Sequence, residues 1–322
     1  MKLIPFGQTD LKVNRLCYGA MRISGTWDRE KIDAAAIAGG IRVLEAAVDA
    51  GYVFIDHADI YGDTTCETIH GLALDKHPDW KDKLVVATKC GIRDTGKKPG
   101  LVHRYDFEGK YLRESVDGSL KRLKVDRIDL YQLHRPDWLA DPADIAAAMV
   151  DLHKAGKVRY FGVSNFRPSL VSAVQSALPF PLVSNQVEIH LLRLATFEDG
   201  TLDQCLEKKM VPLAWSPLAG GRLSYALLSA AEAANVAPPA DAHIAAACRR
   251  LRPVLGEIAG AYGTTPLAIL LAWLMRHPSG IIPIVGTVRP EAMKEAAKAD
   301  EIDLDRVSWY RILHAARGER LA

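Results

Sequence analysis

The runs RIDLYQLH (127–134), PADIAAAMVDLHKAG (142–156) and VRYFGVSN (158–165) follow one another, and together they decide how the chain is read. The outer two are rich in Val, Ile, Leu and Tyr and do not alternate cleanly with polar residues, which marks strands buried on both faces. The middle run has helical spacing. Asp141 before Pro142 reads as a cap followed by a first-turn proline, and Gly156 as the C-terminal stop. Parallel strands require such a crossover helix, so the stretch is one strand–helix–strand unit.

The same alternation extends in both directions. Further strands are predicted at 15–21, 53–58, 84–90, 181–188, 211–217 and 280–286, giving eight in all, with helices predicted at 31–50, 66–75, 110–123, 142–155, 168–177, 201–209, 254–277 and 291–299. Eight strand-then-helix units fit a (β/α)8 barrel better than an open doubly wound sheet. The length of 322 residues allows one large core or two domains; the repeat, regular apart from one longer gap after 217, favours one barrel domain over 1–322. Ahead of it, KLIPFGQTDLKV places turn residues between two apolar stretches and reads as a hairpin closing the bottom of the barrel. The Ala-rich interval 223–248, with weak period and a Pro-Pro break, reads as a lid-like insertion after strand seven.

Composition excludes several classes. With 41 basic against 39 acidic side chains, the net charge of +2 gives no field for a polyanion, so nucleic acid is not an expected partner. Pro5, Gly7 and Asp10 interrupt what a signal peptide would need, and nowhere do about 18 apolar residues run together, so no membrane partner is expected. The five cysteines share no close spacing, which fits a reducing cytoplasm rather than a disulfide framework or a zinc site. No GxGxxG or GxxxxGK[ST] follows a strand, which argues against a Rossmann site and a P-loop.

In a barrel of this type chemistry occurs where strands end. The predicted tips carry Asp56, with Tyr61 shortly after it, then Lys89, His134, Ser164, Asn165 and Gln186. Four of these make a proton-transfer device. A tyrosine hydroxyl is a poor acid near neutrality, and the Lys89 ammonium beside Tyr61 would lower its pKa. Asp56 would keep a buried Lys89 charged, and His134 could donate a hydrogen bond to a carbonyl oxygen. Taken singly each has a structural reading as well: Asp56, like Asp59 beside it, as a helix cap, Tyr61-Gly62 as a turn, Lys89 as a surface lysine and His134 as a strand end. By strand alternation His57 points away from Asp56, and Cys90 away from the site, so both read as packing residues.

The ordered set Gly51-Tyr-Val-Phe-Ile-Asp56-His-Ala-Asp-Ile-Tyr61-Gly62, Ala87-Thr-Lys89, Asp129-Leu-Tyr-Gln-Leu-His134, Gly162-Val-Ser-Asn-Phe166, Asn185-Gln186, Trp215-Ser-Pro-Leu218 and Pro283-Ile-Val-Gly-Thr287 resembles the aldo-keto reductases, in particular a bacterial branch of oxidoreductases. The resemblance covers nearly the whole chain. It implies reversible, NADPH-dependent reduction of a small aldehyde or ketone to an alcohol without a metal, by a cytoplasmic monomer. Tyr61 would be the general acid, Lys89 its partner, Asp56 the ion pair to Lys89, and His134 the orienting donor. Ser164, Asn165 and Gln186 look like the groups that bind the carboxamide, and Trp215, commonly a tyrosine in relatives, like the aromatic stacked on the nicotinamide.

By the same resemblance Gly19, Ala20 and Met21 line the cofactor at the first strand, and Ser216, Pro217, Leu218, Gly220 and Arg222 form a loop over the pyrophosphate. Gly286, Thr287 and Arg289 lead into a helix N-terminus suited to the 2′-phosphate, with Glu295 near the adenine. The preference for NADPH over NADH rests on Arg289, because Ala292 stands where many relatives carry a basic residue and Ala296 replaces a frequent Asn. Trp27, in the loop after strand one, is the expected substrate-pocket wall beside Tyr61 and His134. A second reading, an NADPH-binding sensor or regulatory subunit with little turnover, uses the same residues. A metal-dependent sugar isomerase would need carboxylate and His ligands clustered at strand ends, which are absent.

Overall fold

The repeat of strand and helix closes on itself. The computed structural model describes residues 1–93 and 102–319. An antiparallel hairpin comes first, β1 (Leu3–Pro5) with β2 (Lys12–Asn14). Then follow β3 (Cys17–Gly19), β4 (Phe54–Asp56) and β5 (Val85–Cys90); a small antiparallel pair, β6 (Ile92–Arg93) and β7 (Arg104–Tyr105); and β8 (Ile128–Leu133), β9 (Val158–Ser164), β10 (Ser184–Glu188), β11 (Val211–Trp215) and β12 (Ile282–Val285). Apart from the two antiparallel pairs, these strands form a closed, all-parallel barrel in which each pairs with the next in chain order. Closure is made by β12 against β3, with Ile284 opposite Cys17 and Val285 opposite Tyr18. All eight predicted strands coincide with barrel strands, and the architecture is the expected (β/α)8 barrel.

The hairpin plugs one end. Its Phe6, Leu11 and Val13 share an apolar cluster with the inward residues Phe54, Ala87 and Leu130, and the Phe6 and Phe54 rings meet edge to face at 5.5 Å. Side chains two apart on a strand share a face. The next inward layer therefore holds Asp56, Lys89 and Gln132, while the residues between them point outward to the helices. His57 meets His70, Thr88 meets Glu67, and Tyr131 meets Ser115. This alternation turns a sequence spacing into an inner polar layer at the mouth.

The 142–154 helix begins as read, with the Asp141 side chain accepting from the Ala143 amide and Pro142 in the first turn. Two expectations are corrected. The helix predicted at 254–277 is two helices, Ala242–Ala261 and Pro266–Met275, set at 90°. Gly263 takes a left-handed φ of 62°, and Thr265 caps the second helix ahead of Pro266, whose ring cannot continue the first. The interval 223–248 does carry an insertion after the seventh barrel strand, with short helical turns at Ser224–Leu227 and Ala230–Ala234, but its end is misplaced: residues from Ala242 onward belong to the first of these two helices.

A final helix, Arg306–Arg317, lies against that pair. Trp273 and Trp309 stack at 4.9 Å, and each indole N–H donates to the other's backbone carbonyl, at 3.1 and 2.9 Å. Among the described residues no single helix is long and apolar enough to cross a membrane.

Candidate active site

Asp56 ends β4 and Lys89 lies next to the end of β5, so both side chains enter the mouth from adjacent strands. The Lys89 Nζ donates to both Asp56 oxygens, at 2.8 and 2.7 Å, and to the His57 carbonyl at 2.5 Å. Three acceptors for three N–H groups satisfy an ammonium that is 0% exposed. Burial pulls the Lys89 pKa down, but Asp56 and Tyr61 outweigh it and the net direction is up. Lys89 is therefore a fixed cation.

Tyr61 follows in the loop after β4, with the Lys89 Nζ 5.0 Å from its ring centroid. Its ring meets His134 edge to face at 5.9 Å on one side and Trp27 at 6.1 Å on the other. Lys89 pulls the phenol toward a lower pKa, as expected, but it does not decide the balance. Burial dominates and raises it, Lys89 opposes the rise, and Asp56 adds to it. The phenol is thus held protonated beside a cation that favours the phenolate. His134, just past β8, is buried; burial first, then Lys89 and Arg135, push it well below the usual imidazole value. A neutral imidazole keeps one N–H to donate. Its Nδ1 is buried without a hydrogen-bond partner among the described residues.

A second group of residues is tied together around Trp215. The Trp215 indole N–H donates to Asn165 Oδ1 at 3.0 Å, and the Asn165 amide donates to Ser164 Oγ at 2.8 Å and to the His134 carbonyl at 3.2 Å. Gln186 lies beside Ser164 in register, and its amide donates to Asp56 Oδ1 at 2.9 Å. Gln186 thus serves the ion pair in this arrangement. Arg135, which sequence reading passed over although it follows His134 at the strand tip, sits 5.5 Å from the Trp215 ring centroid.

Beyond β11 the backbone turns left-handed at Ser216 (φ 51°), Ala219 (φ 55°) and Gly220 (φ 67°), and Arg222 folds back to donate to the Ala219 carbonyl at 2.8 Å. Pro217 and Leu218 complete this tight loop. Successive amides in such a turn form a concavity suited to an anion. Gly19 packs so closely that a Cβ would stand 2.7 Å from Ile284, Ala20 is buried beside it, and Met21 is exposed. Gly286 and Thr287 lie across from this strand end, the Thr287 carbonyl accepting from Tyr18 at 3.2 Å. Arg289 stands at the start of the Pro290–Ala297 helix, exposed and without an ion-pair partner among the described residues, with Glu295 half-buried on the same helix. These groups fit a nicotinamide dinucleotide: amide donors and an indole face at the strand tips, a left-handed amide turn, and a free guanidinium at a helix start.

Sequence reading also missed a polar seam behind the site. Asp59 is no helix cap, since the 65–76 helix has Thr64 at that position. Its carboxylate instead accepts from Ser115 and Tyr111, more than fifty residues away. Glu67, fully buried, takes a hydrogen bond from Thr88 at 2.6 Å and pairs with Arg122 at 2.7 Å.

Comparison with known proteins agrees with this geometry. Residues 15–316 match the family model of the aldo/keto reductase family. A 6-dehydroglucose reductase of Novosphingobium aromaticivorans is 38% identical over 98% of this chain and 95% of its own length. The uncharacterized oxidoreductase YcsN of Bacillus subtilis is 36% identical over 96% of both chains, and the oxidoreductase YdhF of Escherichia coli 36% over 86% and 87%. The thermostable aldo-keto reductase Tm1743, solved with the inhibitor epalrestat, superposes with a TM-score of 0.79 at 26% identity over 98% of this chain and all of that one. With its barrel, its mouth and its sequence all pointing one way, the chain belongs to the aldo/keto reductase family.

Proposed function

We propose that the protein reduces an aldehyde or ketone to the alcohol with NADPH, reversibly, with Tyr61 as the proton donor. The observation that carries this reading is the assembly of Tyr61, Lys89, Asp56 and His134 at the strand tips, with a protonated phenol beside a fixed ammonium. A nicotinamide cofactor supplies the hydride when bound. The chain's own groups position and protonate. His134, kept neutral, donates to the carbonyl oxygen and orients it, and Tyr61 gives its proton to that oxygen as negative charge grows there. Lys89 then stabilises the phenolate left behind, and Asp56 holds Lys89 in place. Trp27, 51% exposed at the rim and edge-on to Tyr61, walls the pocket and screens the reacting atoms from water.

Ser164, Asn165 and Trp215 would hold the carboxamide and ring of the nicotinamide, and Gln186 would do so while bracing Asp56. The loop at 216–222 would cover the pyrophosphate. Arg289 with Thr287 supports the 2′-phosphate, and hence NADPH over NADH, by charge-assisted hydrogen bonds. The names of the relatives put sugar-derived aldehydes first among substrates to try.

The test is cofactor oxidation with a panel of sugar-derived, aromatic and dicarbonyl aldehydes, wild type against Tyr61→Phe. Turnover should fall by about 10²–10⁴-fold in Tyr61→Phe while NADPH still binds. Tight NADPH binding with no turnover on any carbonyl would overturn the reading in favour of a nucleotide-sensing subunit.

A further inference from the structure

The turn that follows Tyr61 is strained. Gly62, Asp63 and Thr64 take left-handed φ values of 56°, 49° and 74° in succession, and two of them carry a Cβ. Such conformations persist only where the surroundings over-determine them. On its inner side the loop is held by backbone bonds, including the Asp59 amide to the Lys89 carbonyl at 2.9 Å. On its outer side the Asp59 carboxylate reaches the Gly109–Leu123 helix, where one oxygen accepts from Ser115 Oγ at 2.9 Å and from Tyr111 at 3.2 Å. Ser115 is itself braced by the Tyr131 hydroxyl at 3.0 Å, so the anchor runs on into β8.

We propose that Asp59 is a positioning residue for the reaction: its carboxylate clamps the loop that carries Tyr61 onto the 109–123 helix and so fixes the phenol at the point of proton delivery. This rests on the reading of Tyr61 as the general acid. Asp59 touches neither substrate nor cofactor and acts through Tyr61 alone.

The clamp depends on charge. Burial and the nearby Glu67 push the Asp59 carboxyl up to about 7, against the pull of Ser115, Tyr111 and Arg122. On the barrel side Cys90 and Tyr131 are both held neutral by burial. Arg93 lies over the Tyr111 ring at 4.5 Å, and Asp63 and Glu114 border the open end of the cleft outside. One Asp59 oxygen, Oδ1, is buried and has no partner among the described residues. Ionised, Asp59 makes two charge-assisted bonds; protonated, it makes weaker ones, and the strained turn is free to relax. The ion is thus needed for function in a place where burial disfavours it.

The experiment uses the full chain. In wild type, kcat should rise with pH through about 7. Asp59→Asn, which keeps an acceptor but cannot ionise, should lose that rise and sit about tenfold below wild type at pH 8, with cofactor affinity unchanged and a Tm no lower. Ser115→Ala, which removes one donor to the anion, should move the rise to higher pH. A rise that survives in Asp59→Asn, or equal kcat at pH 8, overturns the proposal. A readout free of turnover is the NMR signal of Tyr61 in ¹³C-tyrosine-labelled protein, assigned by its loss in Tyr61→Phe. It should shift through the same pH range in wild type and stay put in Asp59→Asn. That pattern in an enzyme with no carbonyl turnover would defeat the reductase reading and leave the clamp standing, whereas a Tyr61 signal indifferent to pH in wild type defeats the clamp.

Discussion

Lys89 and the histidines behind it show how the same burial yields opposite charge states. Lys89 remains an ammonium because Asp56 and Tyr61 outweigh burial, and its N–H groups are taken up by Asp56 and the His57 carbonyl. His57 and His70, both buried, have only each other among the described residues: the rings share one bond at 2.9 Å, and the outer nitrogens, His57 Nδ1 and His70 Nε2, lack partners there. Burial holds His70 down at about 4, and burial with His70 and Lys89 nearby holds His57 well below 6.5. A depressed histidine contributes stability that is present above its unfolded value of about 6.5 and is lost as pH falls through the folded one. Between pH 7.5 and 5.0, wild type should therefore lose about 2 kcal/mol more than His70→Gln, read as urea-unfolding free energies. Equal losses in the two proteins would show that His70 takes no proton in that range. Asp59 shifts in the opposite direction, but it is common to both proteins and cancels from the comparison.

At the scale of elements, the hairpin plug is a packing device with a measurable contribution. Phe54 is 1% exposed and meets Phe6 edge to face inside the barrel. Phe54→Ala should cost about 3–5 kcal/mol in urea unfolding, and a cost under about 1 kcal/mol would mean the plug collapses to fill the space. What could be read from sequence, and what could not, divides along the same line. The strands are legible as short runs rich in Val, Ile, Leu and Tyr set between helical segments, and the Asp56–Lys89 pair as polar residues at the tips of two neighbouring runs. The break at 262–265 carries punctuation of the same kind as 141–156, a Gly stop and a capping residue ahead of a first-turn proline, but it lies inside a stretch whose helical spacing runs on to Met275. The Arg306–Arg317 helix was missed because no ninth strand calls for it; it exists to cover Trp273. The clamp from Asp59 to Ser115 joins residues with no sequence relation, and only the packing of a loop on a helix brings them together.

At the scale of the whole molecule, the proposed cofactor would span residues from Gly19 to Glu295 and so be felt by global stability. A ligand that binds only the folded chain stabilises it by about 2.7 kcal/mol at a concentration one hundred times its Kd. NADPH should show this as a rise in Tm. Arg289→Ala should weaken NADPH binding about 10- to 100-fold while leaving NADH as it was. An unchanged NADPH affinity would remove Arg289 from the 2′-phosphate. The ring closure described above has a separate consequence, for synthesis. Because β3 finds its last neighbour only in Ile282–Val285, a chain growing from its N-terminus carries an open sheet edge on β3 until nearly all of it has been made. An unpaired strand edge is a template for pairing with another chain. Nascent chains truncated before residue 282 should thus be the aggregation-prone species of this protein, and the ones that holdase chaperones meet on the ribosome.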